Sequence, residues 1–267
     1  MFDKNYIKNQ LSFIDDNLDG NIEIYIFGGG AMSFLDLKAA TKDIDVLVSN
    51  ETQAKQLIQA LIKSNYRLIK SQEIAYLQMR AREIIENEDG FRWDIFVDRI
   101  CGGLSFSEAM KSRAEPFMKF SHIETFLISP EDIFILKAVT SRPRDREDMF
   151  SLFSYGLDNG IIKNEIKRQA QIDQNKAWLS YFFIGLDELV DQYNIVYPDY
   201  DEFLSYAEEE MLEHVIKTLI ERKPRSIKEL VKRLKIDKKE IVMKLDQLKK
   251  SNIIVEKQKT FQVKKTE

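Results

Sequence analysis

The sequence predicts an α+β protein in which strands and helices are followed by a helical region and a small C-terminal domain. Three observations favour this class. Short runs rich in β-branched and aromatic residues, "IEIYIF" (22–27) and "DIDVLV" (43–48), alternate with stretches of helical periodicity. A clear helix start follows at residue 129, and beyond residue 203 the chain becomes rich in lysine. We therefore expect domains over 1–128, 129–202 and 203–267.

The composition indicates a globular protein and argues against disulfide-rich and membrane-spanning classes. The chain has 267 residues, of which 44% are apolar and 31% charged, so it can bury a sizeable core as a globular protein. Its single cysteine, Cys101, excludes an internal disulfide framework, and with only two histidines a Cys/His zinc site is not expected. No signal peptide and no apolar run of about eighteen residues is recognisable, so we expect a cytoplasmic protein without a membrane segment.

Further elements follow from hydrophobic periodicity and turn residues. Apolar side chains recur at helical spacing near the N-terminus, whereas runs such as "FRWDIFVD" are typical of strands. The predicted elements are helices over 3–18 and 51–64, strands over 74–81 and 91–98 separated by a turn at 86–90, and strands near Phe117 and Phe126.

The segment "SPEDIFILKAV" contains the clearest helix start. Ser129 is the expected cap, Pro130 fits the first turn, and Asp132 is placed to complete a capping box. Pro143 interrupts the pattern and predicts a second helix over "PRDREDMFSLFSYG". Helical periodicity continues until "NIVYPDYDEF" (194–203), which indicates a connector.

The C-terminal part predicts a small basic domain. A long helix to residue 221, helices over 226–234 and 237–250 and two short strands follow in the order of a winged helix-turn-helix. From 222 to 267 there are 16 Lys or Arg against 6 Asp or Glu, a balance of +10 in a chain of net charge −4. Nucleic acid is therefore an expected partner of 222–267. The alternative is a protein-interaction or dimerisation module, which would produce a homodimer.

Two aspartates lie at the start of the strand "DIDVLV". Residues i and i+2 of a strand face the same way, so Asp43 and Asp45 share one face. If the strand "RWDIFV" is a neighbour, Asp94 lies beside them. Adjacent carboxylates repel one another unless a cation lies between them, and Mg2+ prefers oxygen ligands. Three such acids predict a site for two metal ions, whereas solvated charge at a strand edge is the alternative.

Three glycines follow the first β-rich run. Without side chains, Gly28, Gly29 and Gly30 would let a phosphate approach the backbone closely. A helix beginning at about Ala31 would direct free N–H groups and its positive dipole end at that phosphate, and Ser33 could add a hydroxyl. A plain turn is the alternative. The order of strand, glycines, Asp-x-Asp and a later strand Asp favours phosphate and metal binding.

These motifs together resemble the nucleotidyltransferase superfamily of the DNA polymerase β type. "FGGGAMSFLDLKAATKDIDVLV" with "WDIFV" is similar to its signature of a glycine pair, a spacer, an Asp-x-Asp and a distal acid. "SPEDIFILKAVTSRPRDREDM" is similar to a segment of minimal prokaryotic nucleotidyltransferases of the AbiEii toxin group, in which a helical Lys precedes Arg-Asp and another Asp. The resemblance covers about residues 20 to 155. It implies the nucleotidyltransferase fold, a mixed sheet with flanking helices.

The resemblance also implies a role for each matching position. The acids would bind Mg2+ or Mn2+ and carry the catalysis, with Asp94 also activating the acceptor hydroxyl. The glycine run and Ser33 would contact the phosphates of an NTP, although a third glycine stands where Ser, Thr or Ala is commoner, which shifts contact toward backbone N–H groups. Lys137 would neutralise the triphosphate. The predicted site residues are thus Gly28, Gly29, Gly30, Ser33, Asp43, Asp45, Asp94, Lys137, Arg144, Asp145 and Asp148.

Two of these positions have simpler alternatives. Lys137 could be a surface lysine whose stem lies along apolar side chains. Arg144 and Asp148 are four residues apart in a predicted helix, so they could form an ordinary surface ion pair.

Two functions stay open at this point. The favoured one is an enzyme that transfers a nucleoside monophosphate from an NTP to a hydroxyl of RNA, protein or a small molecule and releases pyrophosphate. The alternative is a DNA-binding regulator or toxin–antitoxin component whose nucleotidyltransferase-like domain senses nucleotide or mediates assembly. The presence of all three acids favours the enzyme, because a sensor does not need them.

Overall fold

The computed structural model describes residues 1–69, 81–101, 103–172, 176–257 and 259–264. The chain forms two compact units. One comprises Met1–Asp173 with Trp178–Tyr200, and the other comprises Gln174–Ala177 with Asp201–Glu267. The finer division of the first part at residue 128 stays a prediction.

The first unit contains a sheet flanked by helices. Its helices are α1 (Lys4–Asp15), α2 (Gly28–Phe34), α3 (Glu51–Lys63), α4 (Glu108–Arg113), α5 (Pro130–Ala138), α6 (Pro143–Tyr155), α7 (Asn159–Ile172) and α8 (Ala177–Tyr193). Its strands are β1 (Ile22–Phe27), β2 (Asp43–Val48), β3 (Arg67–Leu68), β4 (Glu83–Glu86), β5 (Arg92–Val97), β6 (Arg99–Ile100), β7 (Leu104–Ser105), β8 (Glu115–Lys119) and β9 (Ile123–Leu127).

The main sheet is mixed, as expected. Seven described strands follow the order β3-β4-β5-β2-β1-β9-β8. The pairs β2–β5 and β1–β9 are parallel, and the other neighbours are antiparallel. β1, β2 and β5 lie in its middle, where both faces are covered, and their side chains are almost all buried. This explains why these strands are near-continuous apolar runs in which a charged residue stands out. The architecture is compatible with an α+β nucleotidyltransferase fold.

Most sequence-predicted elements of this unit are confirmed. The strands at 22–27 and 43–48 match β1 and β2 residue for residue, and the later predicted strands correspond to β5, β8 and β9. The turn before β5 is also present. Of the strand predicted over 74–81, residues 74–80 lie outside the described part of the chain.

Two predicted boundaries were wrong. α2 begins at Gly28 instead of about Ala31, because Gly28 adopts φ +61° and lets the chain turn into the helix directly from the extended Phe27. The predicted connector over 194–203 is shorter, since the next helix already begins at Tyr200. Because α2 has only seven residues, little dipole is available at its N-terminus for a phosphate.

The start of α5 has the predicted Ser129 cap, but Asp132 bonds the Ser129 hydroxyl and Arg113 instead of completing the predicted capping box. Ser129 Oγ accepts a bond from the Asp132 backbone N–H at 3.3 Å, as predicted, and donates one to Asp132 Oδ2 at 2.9 Å. The carboxylate of Asp132 also accepts two bonds from Arg113, at 3.0 and 2.7 Å. Arg113 in turn donates to the buried Glu165 at 2.7 Å. This network fixes α5 against α4 and α7, and α5 carries a predicted site residue.

The second unit is a small helical body with a hairpin. It contains α9 (Tyr200–Arg222), α10 (Ile227–Leu234), α11 (Lys238–Lys250), β10 (Ile254–Lys257) and β11 (Thr260–Val263). Its core consists of aliphatic side chains from these elements together with Phe261. The predicted order of helices and strands is confirmed, and the assignment to the winged helix-turn-helix class stays a prediction. None of the described helices combines the length and apolarity needed to cross a membrane.

Candidate active site

Two aspartates lie side by side in the middle of the main sheet. Asp45 on β2 and Asp94 on β5 are direct partners in the parallel register, so their side chains leave the same face of the sheet. Asp45 is 7% exposed and Asp94 is 1% exposed. Within the part of the chain that the structure describes, Asp94 Oδ1 has no hydrogen-bond donor. A buried carboxylate oxygen without a hydrogen-bond donor is unusual in a folded protein. It indicates a binding site whose ligand would contact that oxygen.

The acid pair has strongly perturbed proton affinity. Burial, followed by the charge of Asp43, raises the pKa of Asp45 to about 7, although Lys137 and Arg142 act in the opposite direction. Burial and then the charge of Asp45 raise the pKa of Asp94 well above its ordinary value. Two neighbouring carboxylates in a low-dielectric environment cannot both ionise without a compensating cation.

The third predicted acid, Asp43, is held by other contacts. It lies opposite Arg92 in the β2–β5 register, and its Oδ2 accepts a bond from Arg92 Nη2 at 3.3 Å. Its Oδ1 accepts one from Thr41 Oγ1 at 3.3 Å. Among the described residues, no three Asp, Glu, His or Cys side chains are arranged as a set that could hold a metal ion. The structure thus joins Asp45 to Asp94 and pairs Asp43 with Arg92.

The glycines serve different purposes. A Cβ on Gly28 would lie 2.0 Å from Asp45 Oδ2, so glycine at this position makes room for the carboxylate. A Cβ on Gly29 would lie 2.8 Å from Thr41 Oγ1. Gly30 faces the sheet, where a Cβ would come within 3.3 Å of Ile44. Gly30 therefore permits close packing of α2 on the strands.

Ser33 lies inside α2 and is 2% exposed. Its hydroxyl donates to the backbone carbonyl of Gly29 at 3.0 Å, one helical turn earlier. This bond is a common way for a helical serine to satisfy its hydroxyl.

Lys137 is buried in an ion cluster. Its ammonium lies 2.7 Å from Asp145 Oδ1 and 2.7 Å from Asp148 Oδ2, and the residue is 7% exposed. Burial alone would lower the pKa of Lys137, but the two carboxylates outweigh it and hold the pKa above its ordinary value. The interpretation of Lys137 as a surface lysine was wrong.

The cluster extends on both sides of Lys137. Lys38 contacts both oxygens of Asp148 at 2.7 and 2.9 Å, and Arg142 Nε donates to Asp145 Oδ2 at 2.7 Å. Burial would raise the pKa of Asp145 and Asp148, but these cations hold it below its ordinary value. The carboxylates are therefore ionised. The pair of Arg144 with Asp148 suggested as an alternative is not formed, because Asp148 faces Lys38 and Lys137.

Asp43, Asp45 and the ion cluster line one cavity of about 240 Å3, and Asp94 lies behind Asp45. Six cationic and four carboxylate side chains surround it, and its lining comprises Gly29, Lys38, Thr41, Lys42, Asp43, Asp45, Arg92, Lys137, Arg142, Arg144, Asp145 and Asp148. Lys42 and Arg144 are exposed, and neither forms an ion pair with another described residue. Lys42 and Arg144 are thus two cationic side chains without a carboxylate partner among the described residues, and they lie in the same cavity as the buried acid pair. Such an arrangement suits a ligand with several negative charges whose reacting atom lies near the acids.

Comparison with known proteins agrees with this arrangement. A family model described as "Nucleotidyltransferase of unknown function (DUF6036)" matches residues 5–182. The chain belongs to this family. No curated protein matches it.

The matched span of this nucleotidyltransferase family contains every residue of the cavity and ends before the basic segment 222–267. Membership supports the resemblance to the nucleotidyltransferase superfamily. The narrower likeness to the AbiEii toxin group stays a prediction.

Most of the site residues predicted from the sequence lie together at the cavity. Gly29, Asp43, Asp45, Lys137, Arg144, Asp145 and Asp148 line the cavity. Asp94 lies against Asp45 and is almost completely buried. Gly28 contacts Asp45 by close approach, whereas Gly30 and Ser33 lie elsewhere within α2.

Sequence reasoning missed five lining residues: Lys38, Thr41, Lys42, Arg92 and Arg142. Two signals were available. Lys38 and Lys42 lie within the spacer between the glycines and the Asp-x-Asp, and Arg92 precedes Asp94 by two residues, which places it on the same strand face. Arg142 offered no comparable signal, because it lies in the loop before α6 and reaches the site through its ion pair with Asp145.

Proposed function

We propose that this protein transfers a nucleoside monophosphate from an NTP to a hydroxyl acceptor and releases pyrophosphate in a metal-dependent reaction. The observation that carries this proposal is the buried pair of Asp45 and Asp94 beside a cationic cavity. Membership of a nucleotidyltransferase family supports the same reaction class. The acceptor class, whether RNA, protein or a small molecule, is not specified by these features.

A divalent cation fits the acid pair. Asp94 Oδ1 has no donor among the described residues, and burial together with the neighbouring carboxylate raises the pKa of both Asp45 and Asp94. Asp45 and Asp94 would hold Mg2+ or Mn2+ through their carboxylate oxygens, and Asp43 would join them by exchanging its contact with Arg92 for the ion. When bound, the ion would polarise the reacting phosphoryl group and balance its developing negative charge.

The remaining lining residues suit the triphosphate. Lys42 and Arg144 are available to bind phosphate oxygens, because neither is neutralised by a described carboxylate. Lys137 and Arg142 add positive charge in the interior, where it opposes the charge that develops on the leaving pyrophosphate. The ion pairs with Asp145 and Asp148 hold these cations in place before substrate arrives.

The transfer step conserves its atoms and charges. The acceptor oxygen forms a bond to the α-phosphorus while the bond from that phosphorus to the bridging oxygen of pyrophosphate breaks. In this proposal Asp94 would accept the proton of the acceptor hydroxyl, which is the role that the resemblance to the superfamily implies for it.

A labelling experiment tests the proposal. The protein is incubated with each α-labelled NTP, Mg2+ or Mn2+, and total RNA or total protein, and both transferred label and pyrophosphate are measured. We expect both products, and we expect Asp94→Asn to abolish them. Asp98→Asn is the matched control, because Asp98 lies four residues later, is exposed and adopts φ +57°, which Asn tolerates.

Two results would contradict the assignment. One is full transfer by the Asp94→Asn variant. The other is tight nucleotide binding by the unaltered protein with no label transferred to any acceptor, which would favour the nucleotide-sensing regulator instead.

A further inference from the structure

The second unit carries cations that its own fold does not use. Ten lysine and arginine side chains are exposed and form no side-chain hydrogen bond or ion pair with another described residue: Lys223, Lys228, Lys232, Arg233, Lys235, Lys238, Lys239, Lys250, Lys257 and Lys259. The apolar core of the unit lies among other residues, so packing does not require these charges. Uncompensated charge of one sign repels itself and lowers stability, which suggests that it is retained for binding.

Most acids nearby are committed to local contacts, and Glu240 in the first turn of α11 is the exception. Glu229 forms a capping box with Ser226 at the start of α10. Asp237 accepts a bond from the Lys239 backbone N–H at 2.7 Å and so caps α11. Asp246 and Glu256 both contact Lys249, at 3.2 and 3.1 Å. The free cations therefore have few acids left to neutralise them.

The acidic residues of α9 neutralise a different lysine. Lys244, whose side chain is 7% exposed, contacts Glu209 at 3.2 Å and Glu213 at 3.9 Å. These two carboxylates of α9 are thus taken up by a buried lysine and not by the exposed lysines of α10 and α11.

These cations are ordered along helix faces. On α10, Lys228 and Lys232 are four residues apart, and Lys235 follows one turn later at the C-cap, so they form one stripe opposite the buried Leu230. On α11, Lys239 and Lys250 lie at the two ends of the face opposite the buried Ile241 and Leu245.

The exposed face of α11 has a length that fits the major groove of duplex DNA. Lys250 lies eleven positions after Lys239, which corresponds to about 16 Å along a helix. The major groove of B-form DNA is about 12 Å wide and admits an α-helix, so lysines at both ends can reach phosphates on opposite sides. Met243, 61% exposed, lies between them together with Asp246, whose charge is offset by Lys249, and Gln247 lies at the edge of this face. Apolar and amide side chains such as Met243 and Gln247 contact a thymine methyl group and an adenine edge.

The geometry points to a binding surface for duplex DNA formed by α10, α11 and the tip of the β10–β11 hairpin, where Lys257 and Lys259 are exposed. The phosphate backbone supplies most of the attraction, and the face of α11 enters the major groove. This inference does not depend on the proposed transfer reaction, because its residues lie outside both the cavity and the matched family span.

Salt titration of the full-length chain tests the surface. Binding of a mixed-sequence 24-base-pair duplex is measured by fluorescence anisotropy as the salt concentration rises. Each neutralised phosphate contributes about −0.9 to the log–log slope, so roughly five contacts give a slope of about −4 to −5. Single-stranded DNA, duplex RNA and polyglutamate serve as comparison ligands or competitors.

Paired variants locate the contacts. Lys239→Ala/Lys250→Ala should flatten the slope by about 2, because two phosphate contacts are lost. The matched control is Lys8→Ala/Lys55→Ala, which removes the same charge from exposed positions of the first unit and should leave the slope unchanged. Circular dichroism of both variants verifies that the helices are retained.

The outcomes separate the alternatives. A steep slope that flattens only in the α11 variant supports the surface, as does weaker binding of duplex RNA, whose deep, narrow major groove excludes side chains. Absence of duplex binding overturns the proposal. An unchanged slope in the α11 variant also overturns it. Equal competition by polyglutamate overturns it in favour of an acidic protein partner.

Discussion

Gly28 shows how one residue shapes the acid pair. It combines φ +61° with a backbone position that brings the Asp45 carboxylate to within 2.0 Å of where a Cβ would lie. The glycine therefore has two separate reasons to be present, one conformational and one steric. Because Asp45 is the partner of Asp94, displacement of its carboxylate would alter the centre of the candidate site.

Substitution of Gly28 separates these two reasons. Gly28→Ala should lower the free energy of unfolding by about 2 to 5 kcal/mol, since the strain of positive φ is added to the clash with Asp45. Gly90→Ala is the matched control, because Gly90 has φ +78° but no atom of the described residues within 4 Å of a Cβ. Its loss should be about 1 to 2 kcal/mol. Urea denaturation measures both, and equal losses would mean that the carboxylate moves aside freely.

Asp45 makes stability depend on pH in a definite direction. Its pKa is about 7 in the folded protein, above the ordinary value of 3.8. The folded state therefore binds the proton more tightly than the unfolded state does. Stability gained from this group is complete below about pH 4 and is lost as the pH rises through about 7. Asp94, whose pKa is also raised, acts with the same sign.

The metal-free protein should accordingly melt at a higher temperature at pH 6 than at pH 8. Asp45→Asn should raise Tm at pH 8 and reduce the difference between the two pH values, because the buried negative charge is gone. Thermal denaturation in EDTA gives the measurement. An Asp45→Asn variant with the same pH dependence as the unaltered protein would show that Asp45 is not the titrating group.

At the scale of elements, the helices α5 and α6 are joined by buried charge. Lys137 on α5 lies between Asp145 and Asp148 on α6, and both carboxylates are ionised. Their mutual repulsion is offset by that one ammonium together with Lys38 and Arg142. The geometry of the cationic side of the cavity therefore depends on the packing of these two helices.

Removal of the central cation should be severe. Lys137→Met should lower the free energy of unfolding by about 3 to 5 kcal/mol, because it leaves buried carboxylates without their partner. Adding Asp145→Asn to that variant should recover part of the loss. Lys63→Met is the matched control: its ion pair with Asp19 is exposed and should contribute at most about 1 kcal/mol. A loss in Lys137→Met no larger than in this control would contradict a buried network.

At the scale of the whole molecule, binding of a nucleotide should raise the melting temperature of the first unit. A non-hydrolysable NTP with Mg2+ at a hundred times its Kd should stabilise the folded state by about 2.7 kcal/mol, or roughly 5 to 10 °C in Tm. Lys42→Ala/Arg144→Ala should show a much smaller shift, because the two available cations of the cavity are lost. The Asp98→Asn variant should respond like the unaltered protein. A full shift in the double variant would assign the triphosphate to other residues.

The positions of individual strands and helices could be predicted from the sequence better than the contacts between distant segments. Strands β1 and β2 could be located to the residue because glycines and turn residues bound short apolar runs, and the Asp-x-Asp stood out against them. The meeting of Asp45 with Asp94 followed once the two strands were taken as neighbours. The exact start of α2 could not be foreseen, because it depends on the backbone angles of one glycine.

Pairs between distant segments left no trace in the sequence pattern. Lys38 and Asp148 are separated by 110 residues, and nothing in either segment identifies the other as its partner. The contact of Arg92 with Asp43 likewise depends on strand order. Such pairings arise from the tertiary fold, which is why the sequence identified the acids of the site more completely than its cations.

The long sequence separation of Lys38 and Asp148, which form an ion pair, has a consequence for the order in which the cavity forms during synthesis. A ribosome adding about 5 to 20 residues per second needs roughly 5 to 20 s to extend the chain across the 110 residues between them. During that interval the acids of β2 and β5 emerge while the cations of α5 and α6 have yet to be made. A nascent chain at this stage holds an incomplete half of the pocket. The cavity proposed to hold the triphosphate is therefore completed late, after α6 has been made.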